Sequence, residues 1–174
     1  MRRRIDPQRL LDQADELGYR GAGRGQPRND KLRRAVSASY YALFHRLIWQ
    51  LAEHLLPGGG EDELARLTRS IDHGKLKDVC NWVRGANGKQ NLHPVVQVVH
   101  DNPDLWNVAD AVVVLQEQRH LADYDHLADF TKAGVLSLVD QARTSIETLD
   151  ALQAAAEVDL RRFLALIALN TSPR

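Results

Sequence analysis

The stretch "NDKLRRAVSASYYALFHRLIWQLAEHLLPGGG", Asn29 to Gly60, decides the fold class. Leu32, Val36, Tyr40, Leu43, Leu47, Leu51 and Leu55 recur at three- and four-residue intervals, the spacing of one face of a helix. Ala35, Ala38 and Ala42 beside them allow other helices to approach closely. A proline and three glycines then close the segment, because neither residue type continues a helix cheaply. A helix this long needs partners of similar length.

Working outward, the same periodicity recurs and strand patterns are scarce. Asp6 and Pro7 mark the start of a first helix ending near Gly18, with Asp6 as cap and Pro7 in the first turn. "GYRGAGRGQPRND" follows as an arginine- and glycine-rich loop, with residues 20–30 expected to be flexible. A short helix over Glu61–Arg69 and another over "GKLKDVCNWVRG" come next. "NGKQNLHPVVQVVHDNP" reads as a long connection, with β-branched residues only in "PVVQVV". Asn102 and Pro103 open a helix through "DLWNVADAVVVLQEQRHLADYDH", and a final helical pattern runs from about Lys132 to Leu169. That last segment is long for a globular helix and is expected to bend or split. The expectation is one all-α domain over residues 1–174, an up-and-down bundle of about five helices.

Composition narrows the class of partner. There are 23 basic and 23 acidic residues, so no overall charge draws the molecule to nucleic acid or anionic lipid. The charge is uneven, however: residues 1–34 carry ten Arg or Lys against five Asp or Glu. Within them Arg24, Arg28, Arg33 and Arg34 form a basic segment suited to a phosphate backbone, or simply a solvated loop. One cysteine, Cys80, leaves no intrachain disulfide and suits a reducing compartment, which makes the cytoplasm the expected location. The apolar run "FLALIAL" at 163–169 is far shorter than the roughly 20 residues of a membrane span, and "MRRRIDPQRLL" lacks the apolar core of a secretion signal.

Chemistry concentrates in "RHLADYDH", Arg119 to His126. Continued as a helix at 100° per residue, this segment puts Asp123 about 40° from Arg119 and His126 about 20° away on the other side, one polar stripe. Arg119 and His126 would then lie about 10.5 Å apart along the axis, within reach of one phosphate for a long guanidinium arm. His120 and Tyr124, four apart, form the next row. A metal site is the first alternative, but His120 and His126 diverge by about 120° and an arginine shares the stripe, so no metal ligands are assigned. A plain Arg119–Asp123 ion pair on a solvated helix is the second.

Two segments resemble the HEPN superfamily of helical domains, whose members include RNA-cleaving toxins and host-defence proteins. "RRAVSASYYALFHRL" at 33–47 is similar to that family's helix of small residues, paired tyrosines and Phe-His. "RHLADYDH" is similar to its motif of an arginine, a polar residue and a histidine after four to six positions. "SIDHGKLKDV" at 70–79 resembles the loop and helix between them, so the likeness covers roughly residues 30–150.

The resemblance implies a homodimer in which Arg119 and His126 meet their symmetry mates and cut RNA without a metal or other cofactor. Arg119 would hold the scissile phosphate, and His126 would serve as base toward the ribose 2′-hydroxyl or as acid toward the leaving oxygen. His120, Asp123, Tyr124 and His45 would support them. It further implies work in toxin–antitoxin or antiviral systems, with a cognate antitoxin or a nucleotidyltransferase as partner. The alternative is a noncatalytic HEPN module that binds a nucleotide or protein. Tyr40, Tyr41 and Phe44 read as core aromatics, His73 and His93 as loop residues, and Trp49, Trp82 and Trp106 as core or dimer-interface packing.

Overall fold

The computed structural model describes residues 5–20, 25–85 and 94–169. Among them there are eight helices and no strands. They are α1 (Pro7–Leu17), α2 (Asn29–Leu55), α3 (Glu61–Thr68), α4 (His73–Val83), α5 (Pro94–Asp101), α6 (Pro103–Tyr124), α7 (Lys132–Ala154) and α8 (Val158–Leu169). No helix of the described residues is long and apolar enough to cross a membrane.

Helix α2 is the axis of the packing, touching α1, α3, α6, α7 and α8. Its expected stripe is buried from Leu32 to Leu51, while Leu55, next to the closing turn, is 45% exposed. Burial extends beyond one stripe to Ala35, Ala38, Ala42 and even Ser39 and Gln50, because helices cover α2 on several sides. The Gln50 side-chain nitrogen donates there to the Leu149 carbonyl at 3.1 Å and to Gln153 Oε1 at 2.7 Å, while its own Oε1 is buried without a hydrogen-bond partner among the described residues. At about 1.5–3 kcal/mol for each fully buried leucine, the row Leu32, Leu43, Leu47 and Leu51 makes α2 the chief apolar contributor. Helix α3 stands apart from the main core and packs Leu64 on Trp49 and Ala52 of α2.

Side chains at the helix starts fix the boundaries. Asp6 accepts from the Gln8 amide ahead of Pro7, Asn102 from the amides of Asp104 and Leu105, Thr131 from that of Gly134, and Asp72 from those of Gly74 and Lys75. One expectation changes and another is met. The connection before Asn102 contains α5, whose Val96 and Val99 are buried in the core; packing outweighs the β-preference of its valines. The C-terminal pattern divides into α7 and α8 at Ala155 and Ala156, where Ala156 adopts φ 53° and its amide turns back to Gln153. With α5 added and the C-terminal pattern divided, the six segments traced in the sequence become eight helices among the described residues, more than the expected five or so.

Candidate functional site

The last three turns of α6 bury Leu115 and Ala122 inward and turn Arg119, Asp123 and Tyr124 toward α2 and solvent. Arg119 Nη2 donates to the Tyr41 hydroxyl at 2.9 Å. Its Nε lies 2.6 Å from Asp123 Oδ2, a charge contact without the alignment of a hydrogen bond. The guanidinium carbon stands 5.4 Å from the centre of the Tyr41 ring and 5.7 Å from that of Tyr124, within the range of cation–π attraction. Asp123 is itself held, accepting from Ser37 Oγ at 2.7 Å. Burial works against the Arg119 charge, but Tyr41 and Asp123 outweigh it and raise its pKa above the ordinary arginine value. The i, i+4 pairing of Arg119 with Asp123 is thus present, and His120 packs on Tyr124 with ring centres 4.9 Å apart.

His126 does not share that stripe. Helix α6 ends at Tyr124, Asp125 is extended, and its carboxylate accepts from the Leu127 amide at 2.9 Å. An aspartate that bonds the backbone two residues on offers the chain a turn in place of another helical residue. His126 therefore rides on a turn, with its side chain exposed.

The backbone of that turn is fixed from α2. Arg33 Nε donates to the Ala122 carbonyl at 2.8 Å, Nη1 to that of Ala128 at 3.2 Å, and Nη2 to that of Asp125. Asn29 donates to the same Ala128 carbonyl at 3.1 Å and accepts from the Phe130 amide at 3.1 Å. These contacts satisfy carbonyls that the end of a helix leaves unpaired, with a cation where the helix dipole favours one. Arg33, expected among the RNA contacts, thus turns its guanidinium to backbone carbonyls. Arg28 is exposed beside Asp30 at 3.3 Å, Arg34 is exposed, and Arg24 lies outside the described residues.

A cluster of rings joins Arg119 on the α2 side. His73, expected in a loop, is the first residue of α4 and half-buried, because Asp72 caps the helix just before it. Its ring lies on Phe44 at 3.9 Å and 19° between planes, and its Nδ1 is 2.6 Å from the Tyr40 hydroxyl. Tyr41 stacks near His45 at 6.0 Å and meets the His73 ring edge-on at 6.2 Å. Burial lowers the pKa of both histidines, reinforced at His73 by Arg119 and at His45 by His73, so both are neutral near pH 7. Burial also pushes the Tyr40 phenol well up, keeping it protonated. Tyr41 and His73 are the members missed in the sequence; the capping pattern of Asp72, His73 and Gly74 was the available signal. His93 lies outside the described residues.

Beyond Arg119 a shallow recess of about 350 Å3 is bounded by Lys77, Gln116, Glu117 and His120. No three His, Cys, Asp or Glu side chains among the described residues are grouped as a metal site needs. The arrangement offers a fixed cation, an exposed imidazole on a fixed turn, and two neutral imidazoles among aromatic rings. Compared with protein-family models, curated proteins and solved structures, the chain shows no significant match.

Proposed function

We propose that the protein is a metal-independent RNA endonuclease of the HEPN type, cytoplasmic and homodimeric, acting in a toxin–antitoxin or antiviral defence system. The observation that carries this reading is the setting of Arg119: a charged guanidinium held by Tyr41 and Asp123, seven residues before an exposed His126 on a turn that Arg33 and Asn29 fix on either side. Arg119 binds the scissile phosphate through its fork of donors and offsets charge as the phosphorane forms. One His126 takes the proton of the ribose 2′-hydroxyl, whose oxygen bonds to phosphorus. The His126 of the second copy protonates the departing 5′-oxygen. The products are a 2′,3′-cyclic phosphate and a 5′-hydroxyl, and imidazole suits both transfers near neutral pH. Asp123 and Tyr41 position Arg119, His120 and Tyr124 flank it, and His45 lies behind Tyr41. A cognate antitoxin or nucleotidyltransferase would restrain the activity.

A second reading has its own support. Arg119, Tyr41, His45 and His73 are linked by contacts, whereas His126 stands outside them on the turn. A noncatalytic HEPN module would use that cluster to hold a nucleotide. Purified protein incubated with RNA in EDTA separates the two: cleavage leaving cyclic phosphate ends supports the nuclease, and intact RNA across a panel of structured and single-stranded substrates supports the module.

A further inference from the structure

Beside the His45 and His73 rings that adjoin Tyr41 lies a groove of about 580 Å3 that the cleavage steps above do not use. Phe44, Ile48, Trp49 and Ile71 give it apolar walls, and His45 and His73 give it its polar atoms. Arg69 stands exposed at its rim. The size and the mixture of apolar wall with few polar groups are those of a small-ligand site.

The polar atoms are set in a particular state. The buried Tyr40 hydroxyl has His73 Nδ1 as its one hydrogen-bond partner among the described residues, so its proton points to Nδ1. A neutral His73 then carries its own proton on Nε2 and presents a donor. His45 is also neutral, offering one donor and one acceptor. None of these three ring nitrogens is hydrogen-bonded within the described residues, and none is sealed from solvent. They face outward with unused capacity.

We propose that this groove is a nucleobase subsite. It takes one base of the single-stranded RNA whose neighbouring phosphate Arg119 binds, stacks it beside the Phe44–His73 pair, and reads its edge with His45 and His73. A planar heterocycle suits the walls because single-stranded RNA is bound chiefly by stacking on aromatic faces and by hydrogen bonds to base edges. Arg69 lines the groove, and Arg119 lies against Tyr41, whose ring adjoins the groove's His45 and His73, so a base held here has a cation near it for a neighbouring phosphate. A lipid chain would leave the imidazoles unpaired, and an acidic peptide would leave the apolar walls unfilled. The proposal rests on the RNA-cleaving reading of Arg119, and it adds a source of sequence preference at the nucleotide beside the cut.

The test is a titration of the whole protein with AMP, GMP, CMP and UMP, followed through the imidazole nitrogen resonances of His45 and His73, with ribose 5-phosphate as control. At least one nucleotide should shift both rings while ribose 5-phosphate shifts neither. Ala65→Phe, which fills the groove from α3, and His45→Ala should each weaken that nucleotide about tenfold, the scale of one stacked base. Two variants are used so that a folding defect in one leaves the other informative. Equal shifts from ribose 5-phosphate, or unmoved rings with every nucleotide, would overturn the subsite. RNA cleavage in EDTA by the same preparation keeps the questions apart: cleavage with unmoved rings removes the subsite and leaves the nuclease, and shifted rings without cleavage do the reverse.

Discussion

Tyr41 and Arg119, 78 positions apart, meet through a 2.9 Å hydrogen bond that fixes the guanidinium between α2 and the end of α6. Tyr41→Phe keeps the ring under the cation and removes only the hydroxyl. The expected cost is about 1 kcal/mol in stability, below the usual worth of a charge-assisted bond because Arg119 is partly solvated. RNA cleavage should fall roughly tenfold in kcat, since a guanidinium free to rotate spends less time on the phosphate. Urea unfolding and single-turnover cleavage read the two effects separately.

Arg33 and Arg34 are adjacent in sequence and should behave differently. Arg33→Ala strips the donors from the end of α6, and the expected loss is about 2 kcal/mol, with faster amide exchange along residues 121–130. Arg34→Ala should leave stability within about 0.5 kcal/mol. If Arg34 meets a phosphate, it lowers the slope of log binding constant against log salt by about 1. Unchanged exchange along residues 121–130 in Arg33→Ala would count against the loop-holding role.

That pair also shows where the sequence stopped being informative. The axis of the fold was legible because α2 writes its stripe in seven spaced apolar residues and its end in Pro57 to Gly60. The Arg119–Asp123 pair was legible because i, i+4 neighbours are local geometry. The end of α6 was not: whether Asp125 continues a helix or turns the chain depends on Arg33 and Asn29, which come nearly a hundred residues earlier. The ring cluster was hidden for the same reason, since Tyr41, His73 and Arg119 meet only in the packed chain. Helix α5 was hidden because valines favour strands until buried neighbours decide otherwise.

Acid should destabilise the protein earlier than carboxylate titration alone. The folded-state pKa values of His45 and His73 lie below the ordinary histidine value, so their contribution is complete above about pH 6.5. As pH falls from there through the lowered folded values, the unfolded chain takes up protons first and stability declines. Urea midpoints between pH 7.5 and 5 should drop for the wild type, and the drop should be smaller in His45→Gln with His73→Gln. An identical slope in the double variant would remove the histidines as its cause.

Ala156 holds φ 53° between α7 and α8, a conformation that costs a residue with a Cβ about 1–2 kcal/mol. Ala156→Gly relieves this at some cost in unfolded-state entropy, and the expected net gain is about 0.5–1 kcal/mol. A lower melting temperature in the variant would show that the turn is not strained.

The decisive measurement is the single-turnover rate of RNA cleavage by His126→Ala in EDTA, relative to wild type. His126 is exposed on a turn whose backbone is held by other residues, so the variant should melt at the wild-type temperature. Loss of a general acid–base should nevertheless slow cleavage at least about 100-fold. A His126→Ala protein that cuts within twofold of wild type would contradict the assignment of Arg119 and His126 as the two halves of an RNA-cleaving site.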